Sequence, residues 1–402
     1  MSFSFLDTKL ILFAAISIFL LTLLRGRQRQ AIFLALNVSF IWFFVLGSVG
    51  TLSTIIFCLA GYVLVRMHQE LHWLRISHTL PLLVGIFLYM RNYEILHWML
   101  PSSVLTSMLS TVGLSFLFFR IIHVMVDAKG RMLGKLDFLT YVNYCLNFTT
   151  FVMGPIMRYQ DYYDQWNGSK KAIELSFEAH LDAVIRILFG LVKAYLLAQL
   201  FYTYALKPDT YVTDLHPVML MLQMYCFFFY LYLNFSGYCD VVIGIGSLLG
   251  VRPPENFNMP FIAQNISDFW LRQHRSLTLW LTDYVFSPAY KWGLGNTVLS
   301  AHPLAAGNMA ILLTMLVSGI WHGTTVGFLF FGLVHGIFLA IYHTWDHFLT
   351  GHLGKKRAIQ LRRNWLARAV GIILTFNAAS FAFIFFQLDT QHLLGSLNRL
   401  VG

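Results

Sequence analysis

The sequence predicts an all-α fold, a polytopic integral membrane bundle of about 10–12 membrane segments that include re-entrant or interfacial helices. Three observations carry this. Of 402 residues, 57% are hydrophobic and 11% charged, with a mean hydropathy of +0.65. Soluble domains carry roughly a quarter charged residues, and a water-soluble globule of this size could not cover its apolar surface with so few. Long apolar runs recur along the chain with no soluble domain between them, and Lys and Arg gather in the gaps. A disordered, fibrous or ordinary cytosolic protein is excluded.

The first run, 10–24, ends in Arg25, Arg27 and Arg29. A basic flank on that side, with no small-residue cleavage site after it, identifies a membrane segment rather than a cleavable leader. Runs at 31–48, 50–66, 79–96 and 104–126 follow, with Arg66, Arg75, Arg120, Lys129, Arg131 and Lys135 at their ends. The run at 138–157 has basic residues on both sides, so both ends belong on one face of the membrane. Its Gly154-Pro155 pair breaks a helix, and the segment is expected to be re-entrant or a pair of half-helices.

Runs at 181–205 and 217–249 come next. Within the first, Arg186 and Lys193 either snorkel or line a polar pathway, and Asp182 stands at helical spacing to pair with Arg186. The polar stretch 251–303 contains a segment, 261–300, where Asp268, Trp270, Arg272, His274, Arg275, Trp280 and Asp283 interleave charge with aromatic rings. That density does not suit a lipid-facing span, so interfacial helices or helices buried against the bundle are expected. Runs at 304–321, 326–345 and 367–387 complete the chain, which reads as one domain, 1–402.

The densest basic cluster, Lys355, Lys356, Arg357, Arg362, Arg363 and Arg368, is assigned to the cytoplasm. With 138–157 re-entrant, the 251–303 stretch falls inside as well and the N-terminus outside. The net charge of +10 is accounted for mainly by these loops and calls for no nucleic-acid partner. Four cysteines lie singly in apolar stretches, as core thiols do, without a zinc-like spacing.

Fifteen histidines are many for so apolar a chain. His68, His72, His78, His97, His216, His302 and His352 lie in or beside loops. His322 stands in Ser318-Gly319-Ile320-Trp321-His322-Gly323, His335 in Leu333-Val334-His335-Gly336, and His274 in the charged interfacial stretch. An ionisable side chain at bilayer depth is expensive unless neutral or partnered. A neutral imidazole suits a general base, and a helix-bridging hydrogen bond is the other use of such a residue. No GxSxG elbow, Walker loop or HExxH occurs. His343 and His347 share a helix face beside Asp346, but zinc needs further ligands, so no metal is expected.

Several motifs, taken in order, resemble the core of the membrane-bound O-acyltransferase family. They are Gly154-Pro155-Ile156-Met157-Arg158, Asn234-Phe235-Ser236-Gly237-Tyr238-Cys239-Asp240, Pro254-Glu255-Asn256-Phe257-Asn258-Met259-Pro260-Phe261, Asp268-Phe269-Trp270 with Arg272 and His274, and Trp321-His322-Gly323 followed by His335-Gly336. Together they span roughly residues 130–345. The resemblance implies that His322 and His274 are catalytic, with Trp321, Asn256, Asp240, Arg272, Asp283, His335 and Arg158 as substrate-binding residues. Where the bacterial branch usually has Arg-Trp-His, this chain has Arg272-Gln273-His274.

The function implied is transfer of an acyl group, acetyl in the first reading, from a cytoplasmic thioester donor such as acetyl-CoA or an acyl carrier protein. The acceptor is a hydroxyl of an extracytoplasmic cell-surface polysaccharide or of a relay partner. D-alanyl transfer toward teichoic acid is the alternative, and a non-enzymatic transporter or scaffold stays open at this point. No tightly bound cofactor is expected. The resemblance also implies an extracytoplasmic accessory protein and a multi-pass location in a bacterial inner membrane.

Overall fold

A computed structural model describes residues 7–71, 73–91, 93, 113–130, 132–134, 136–167, 176–205 and 217–387. Residues 92 and 94–112 of the runs predicted at 79–96 and 104–126, together with His72, His97 and His216, lie outside the described residues.

The helices in chain order are α1 (Thr8–Leu23), α2 (Gly26–Phe40), α3 (Gly47–Glu70), α4 (Ile76–Arg91), α5 (Leu114–Lys129), α6 (Phe138–Leu146), α7 (Tyr159–Trp166) and α8 (Phe177–Leu191). They continue as α9 (Ala198–Tyr204), α10 (Pro217–Leu248), α11 (Ile266–Arg272), α12 (Arg275–Leu281), α13 (Ser287–Gly295), α14 (Pro303–His322), α15 (Val326–Arg363) and α16 (Trp365–Phe383). Among the described residues, six continuous helical stretches are long and apolar enough to cross a membrane: 26–70, 177–204, 217–248, 303–322, 326–363 and 365–386. Two shorter apolar helices, α1 and α4, accompany them. The protein is an all-α, multi-pass membrane protein.

The separately predicted runs 31–48 and 50–66 are joined with no polar loop. A π-helical turn, Ile41–Leu46, links α2 to α3, and Gly47 takes a left-handed φ of 65° at the junction. At 1.5 Å per residue the 45-residue stretch is about 68 Å long, over twice the ~30 Å hydrocarbon core. It therefore supplies the length of two spans, divided at Gly47.

The chain forms two compact units, Met1–Ala194 with Phe235–Pro254, and Tyr195–Asn234 with Glu255–Gly402. In the first, the 138–157 run yields only the nine-residue α6, followed by a 3-10 turn, Phe148–Thr150, and irregular backbone. Nine residues rise about 13 Å, under half the hydrocarbon thickness, in keeping with a segment that enters without crossing. Irregular backbone at such depth needs protein partners for its polar groups. Arg120, 3% exposed, supplies them by donating to the carbonyls of Tyr144 (2.9 Å), Cys145 (2.8 Å) and Thr150 (2.8 Å). His123 is likewise structural. Its Nε2 accepts from the Tyr159 backbone N–H at 3.0 Å, and its Nδ1 lies 3.2 Å from the Tyr144 hydroxyl, which donates to Met157 O.

Arg186 reaches a carboxylate beyond its own helix. From α8 its Nε and Nη2 reach Asp240 Oδ1 on α10 at 3.0 and 2.9 Å, while Lys193 Nζ sits 2.5 Å from Oδ2. Two cations thus converge on one carboxylate 54 and 47 residues away in sequence. The approach depends on Gly190 and Gly237, since a Cβ on Gly237 would lie 2.6 Å from the Gly190 carbonyl oxygen.

In the second unit the predicted interfacial stretch becomes the short α11 and one continuous helical segment, 275–295, in which the π-helical turn Thr282–Phe286 joins α12 to α13. With Arg275, Asp283 and Lys291 along it, this segment is not among those both long and apolar enough to cross a membrane. Phe269, Trp270, Leu277, Trp280 and Leu281 are buried, so α11 and α12 pack into the unit. They adjoin a core built from Phe227, Phe228, Met315, Phe331, Ala379 and Phe383. Helices α14 and α15 form a hairpin closed by Gly323-Thr324-Thr325. Their backbones touch at Gly319 and Gly332: a Cβ on Gly332 would lie 2.3 Å from Met315 O, and one on Gly319 2.2 Å from Phe328 O. Only glycine permits that contact.

The predicted core thiols hold as such: Cys58, Cys145 and Cys239 are buried, Cys226 half-buried, and none of the four is joined in a disulfide. His343 Nδ1 lies 2.8 Å from Asn308 Oδ1 on α14, which ties the two helices together, and Asp346 forms an ion pair with Arg362 farther along α15.

Candidate active site

Three of the singled-out histidines, His274, His322 and His335, lie in the second unit, and their surroundings differ sharply. His322 is the last residue of α14 and is half-buried. Its ring makes edge contacts with Trp321 (centroids 4.7 Å) and Phe331 (5.4 Å), and a tilted contact with Phe386 (5.0 Å). The hairpin places it there: α14 ends at His322 because Gly323 takes an extended conformation (φ −169°, ψ 177°).

His274 is 3% exposed, and its ring centroid lies 6.2 Å from that of His322, at 70° to it. Trp321 packs edge-on to both rings, 5.6 Å from His274. His274 caps the N-terminus of α12 in a left-handed conformation, φ 50° and ψ 47°. A non-glycine residue there is disfavoured by roughly 1–2 kcal/mol and is held only where the surroundings dictate it.

Asn256 dictates it. Buried to 1% exposure, its backbone carbonyl accepts from Arg275 N–H at 2.9 Å, and its Oδ1 accepts from Ser276 N–H (3.0 Å) and Ser276 Oγ–H (2.8 Å). Those two donors fix the amide, so Nδ2 faces His274 Nδ1 at 3.4 Å. An amide nitrogen only donates, so Nδ1 is the accepting nitrogen and the ring proton belongs on Nε2. Burial, and then the neighbouring His322 ring, holds the His274 imidazole well below its ordinary pKa.

His335 has no exposed surface. It is enclosed by Phe331 (4.7 Å), Trp270 (5.0 Å), Phe383 (5.9 Å) and Phe269, the last stacked at 6.1 Å and 6°. Neither ring nitrogen has a hydrogen-bond partner among the described residues. The surroundings are those of a packing residue behind the accessible His322.

The remaining sequence-derived residues are dispersed. Trp321 and Asn256 join the two histidines. Arg272 is engaged in scaffolding: its Nε donates to Asp268 Oδ1 at 2.8 Å and its Nη1 to Asn258 O at 3.3 Å, while Asp268 Oδ2 accepts from Gln264 N–H. Asp283 is exposed on the π-helical turn Thr282–Phe286. Asp240 and Arg158 belong to the first unit, Asp240 in its cluster with Arg186 and Lys193, Arg158 half-buried at the start of α7. Sequence reasoning missed Phe331, Phe383 and Phe386, which wall His322 and His335. In a chain with 37 phenylalanines, three more carry no signal of their own. It gave no role to Ser276, the second residue of α12, whose N–H and hydroxyl both donate to Asn256 Oδ1.

Two imidazoles about 6 Å apart, one accessible and one held as an N–H donor, can act as a base beside a hydrogen-bond donor. Comparison with known proteins meets this geometry with a chemistry. Residues 33–384 match the model of MBOAT, the membrane-bound O-acyltransferase family. The teichoic acid D-alanyltransferase of Streptococcus thermophilus is 28% identical over 295 residues, covering 70% of this chain and 69% of the relative. The probable alginate O-acetylase AlgI of Pseudomonas aeruginosa is 30% identical over 287 residues, 69% of this chain and 52% of its own length. The peptidoglycan O-acetyltransferase of Helicobacter pylori is 27% identical over 280 residues, 69% of this chain and 50% of its own. With most of its length matched by the family model, the chain belongs to the membrane-bound O-acyltransferase family and is an O-acyltransferase.

Proposed function

We propose that the protein moves a small acyl group from a thioester to a hydroxyl of a cell-envelope polymer or of a relay partner, with His322 as general base. The observation that carries the reading is the contrast among the three histidines. His322 alone of the three is accessible, while His274 and His335 are enclosed around it. The acceptor hydroxyl gives its proton to His322 as its oxygen attacks the thioester carbonyl. The C–O bond forms, the C–S bond breaks, and the departing thiolate recovers the proton from His322. His274 Nε2–H stabilises the carbonyl oxygen as it gains negative charge, and Asn256 fixes the tautomer that makes this possible. Trp321 orients both rings. A thioester donor reaching the site from the cytoplasm, from acetyl-CoA or a carrier protein, and an acceptor reaching it from outside fit a base carried on a spanning helix of an inner-membrane protein. An extracytoplasmic accessory protein completes the relay.

Acetyl is the acyl group favoured by the Phe235-Ser236-Gly237-Tyr238-Cys239-Asp240 motif and by the O-acetylating relatives. D-alanyl is the second reading, supported by coverage: the chain spans 69% of the D-alanyltransferase and only about half of the acetylating relatives. Purified full-length protein in nanodiscs, assayed for thiol release from acetyl-CoA with a polysaccharide acceptor and for carrier-bound D-alanyl loss, tests both. His322→Ala is expected to lower turnover about 10²–10⁴-fold while size-exclusion behaviour and helicity stay unchanged. Transfer at the wild-type rate by that variant would remove His322 from the mechanism. Mass spectrometry of envelope polymers from a deletion strain decides the acyl group by which ester disappears.

A further inference from the structure

We propose that the groove between α15 and α16 is a binding site for one anionic phospholipid of the surrounding bilayer. The groove has a volume of about 650 Å³, in the range of small-ligand sites, and its floor is apolar. Phe338, Ile341, Trp345 and Leu349 of α15 face Val370 and Leu374 of α16 across it. Both helices belong to stretches able to cross the membrane, so the medium outside is lipid.

Depth and charge identify the occupant. The α15 wall runs from residue 338 to 349 and the α16 wall from 367 to 378. Eleven residues rise about 16 Å, close to half of the ~30 Å hydrocarbon core, which is the depth of one leaflet. The polar end of the groove holds Asp346, Arg362 and Arg368. Arg362 is paired with Asp346 and also donates to Thr350 Oγ1 at 3.2 Å, which leaves the exposed Arg368 as the net positive charge. Trp345 and Trp365, 61% and 76% exposed near that end, sit where interfacial tryptophans mark the headgroup level. Lys355, Lys356, Arg357 and Arg363, beyond the kink of α15 at Gly354 (φ 72°), are exposed but do not line the groove. A leaflet-deep apolar slot ending in a guanidinium matches an acyl chain below a phosphodiester. Ile266 of α11 also lines the groove, and α11 carries the Phe269 and Trp270 that enclose His335, so a seated lipid would brace the packing behind the site.

Native mass spectrometry of the full-length protein, released from nanodiscs of equal phosphatidylglycerol and phosphatidylcholine, tests the assignment. The wild type is expected to retain phosphatidylglycerol preferentially, and inorganic phosphate is expected not to displace it. Arg368→Gln should lower that preference about five-fold, the effect of one cationic residue near a lipid headgroup. Arg357→Gln, outside the groove, should leave it unchanged. Leu374→Trp, at a residue 64% exposed on the groove wall, should lower retention of both lipids. Equal retention of the two lipids by the wild type would overturn the proposal. So would an Arg357→Gln effect as large as that of Arg368→Gln, which would reduce it to general surface charge. Displacement by inorganic phosphate would overturn it too, by making the apolar slot irrelevant.

Discussion

Replacing His274 by glycine and by alanine in parallel separates the backbone role of this residue from its chemical one. At φ 50° and ψ 47° the position lies in the left-handed region, which an alanine adopts at a cost of roughly 1–2 kcal/mol and a glycine almost freely. Glycine loses about 0.5–1 kcal/mol more unfolded-chain entropy, so the net advantage of His274→Gly over His274→Ala is about 0.5–1 kcal/mol. Both variants lose the same imidazole, with its Asn256 contact and its edge packing on Trp321. Thermal melting in detergent, followed by light scattering, should place the glycine variant about 1 °C above the alanine variant. Thiol-release assays should find the two equally impaired, about 10²-fold or more below wild type for loss of a preorganised donor. An alanine variant as stable as the glycine variant would refute the reasoning, because it would mean that the left-handed turn is not imposed by Asn256 and α12. A glycine variant with wild-type turnover would refute the donor role.

Asn256→Ala leaves the buried Ser276 N–H and hydroxyl without their acceptor and is expected to cost about 1–3 kcal/mol, read as a lowered melting temperature. Asp240→Ala strips the carboxylate from Arg186 and Lys193. A fully buried pair broken this way costs about 3–5 kcal/mol, and partial exposure reduces that to about 2–3. The double variant Lys193→Met with Asp240→Asn should recover part of the loss in a double-mutant cycle. Gly332→Val drives a branched side chain into Met315 O and is expected to prevent accumulation of folded protein, measured by fluorescence-detected size exclusion. The pH dependence has a defined sign. The unfolded His274 imidazole titrates near 6.5 and the buried one lower, so the unfolded chain binds more protons below pH 6.5. Stability held above that value declines as pH falls, by at most about 1.4 kcal/mol per unit for this group. His274→Gln should flatten the melting profile between pH 6.5 and 5 relative to wild type.

Hydropathy is a sum over many residues facing one solvent, so spans such as 217–248 and 303–322 were legible to within a few positions. The short reach of α6 was legible too, since basic flanks on both sides forbid a single crossing. What could not be read were contacts set by three-dimensional approach. Asp182 stands at helical spacing from Arg186, yet Arg186 and Lys193 converge on Asp240, brought within reach by two glycines in different helices. Arg120 looked like the basic end of a span, and it is instead the donor that satisfies an irregular buried turn. The cluster that the structure brings together, His322, His274, Trp321 and Asn256, consists of residues named from motifs, while the enclosing Phe331, Phe383 and Phe386 were not named. A ring that walls a site and a ring that fills a core are the same residue type at the same helical spacing.

The α14–α15 hairpin is joined main chain to main chain at Gly319 and Gly332, a few residues from His322. The position of His322, the proposed base, is therefore fixed by peptide geometry and does not depend on the size of the neighbouring side chains. Substitution among the surrounding aromatics would reshape the surroundings of His322 without displacing its ring. Such a division lets acceptor preference drift over evolutionary time while the reaction stays the same. It gives a physical basis for one scaffold serving alginate, peptidoglycan and teichoic acid enzymes.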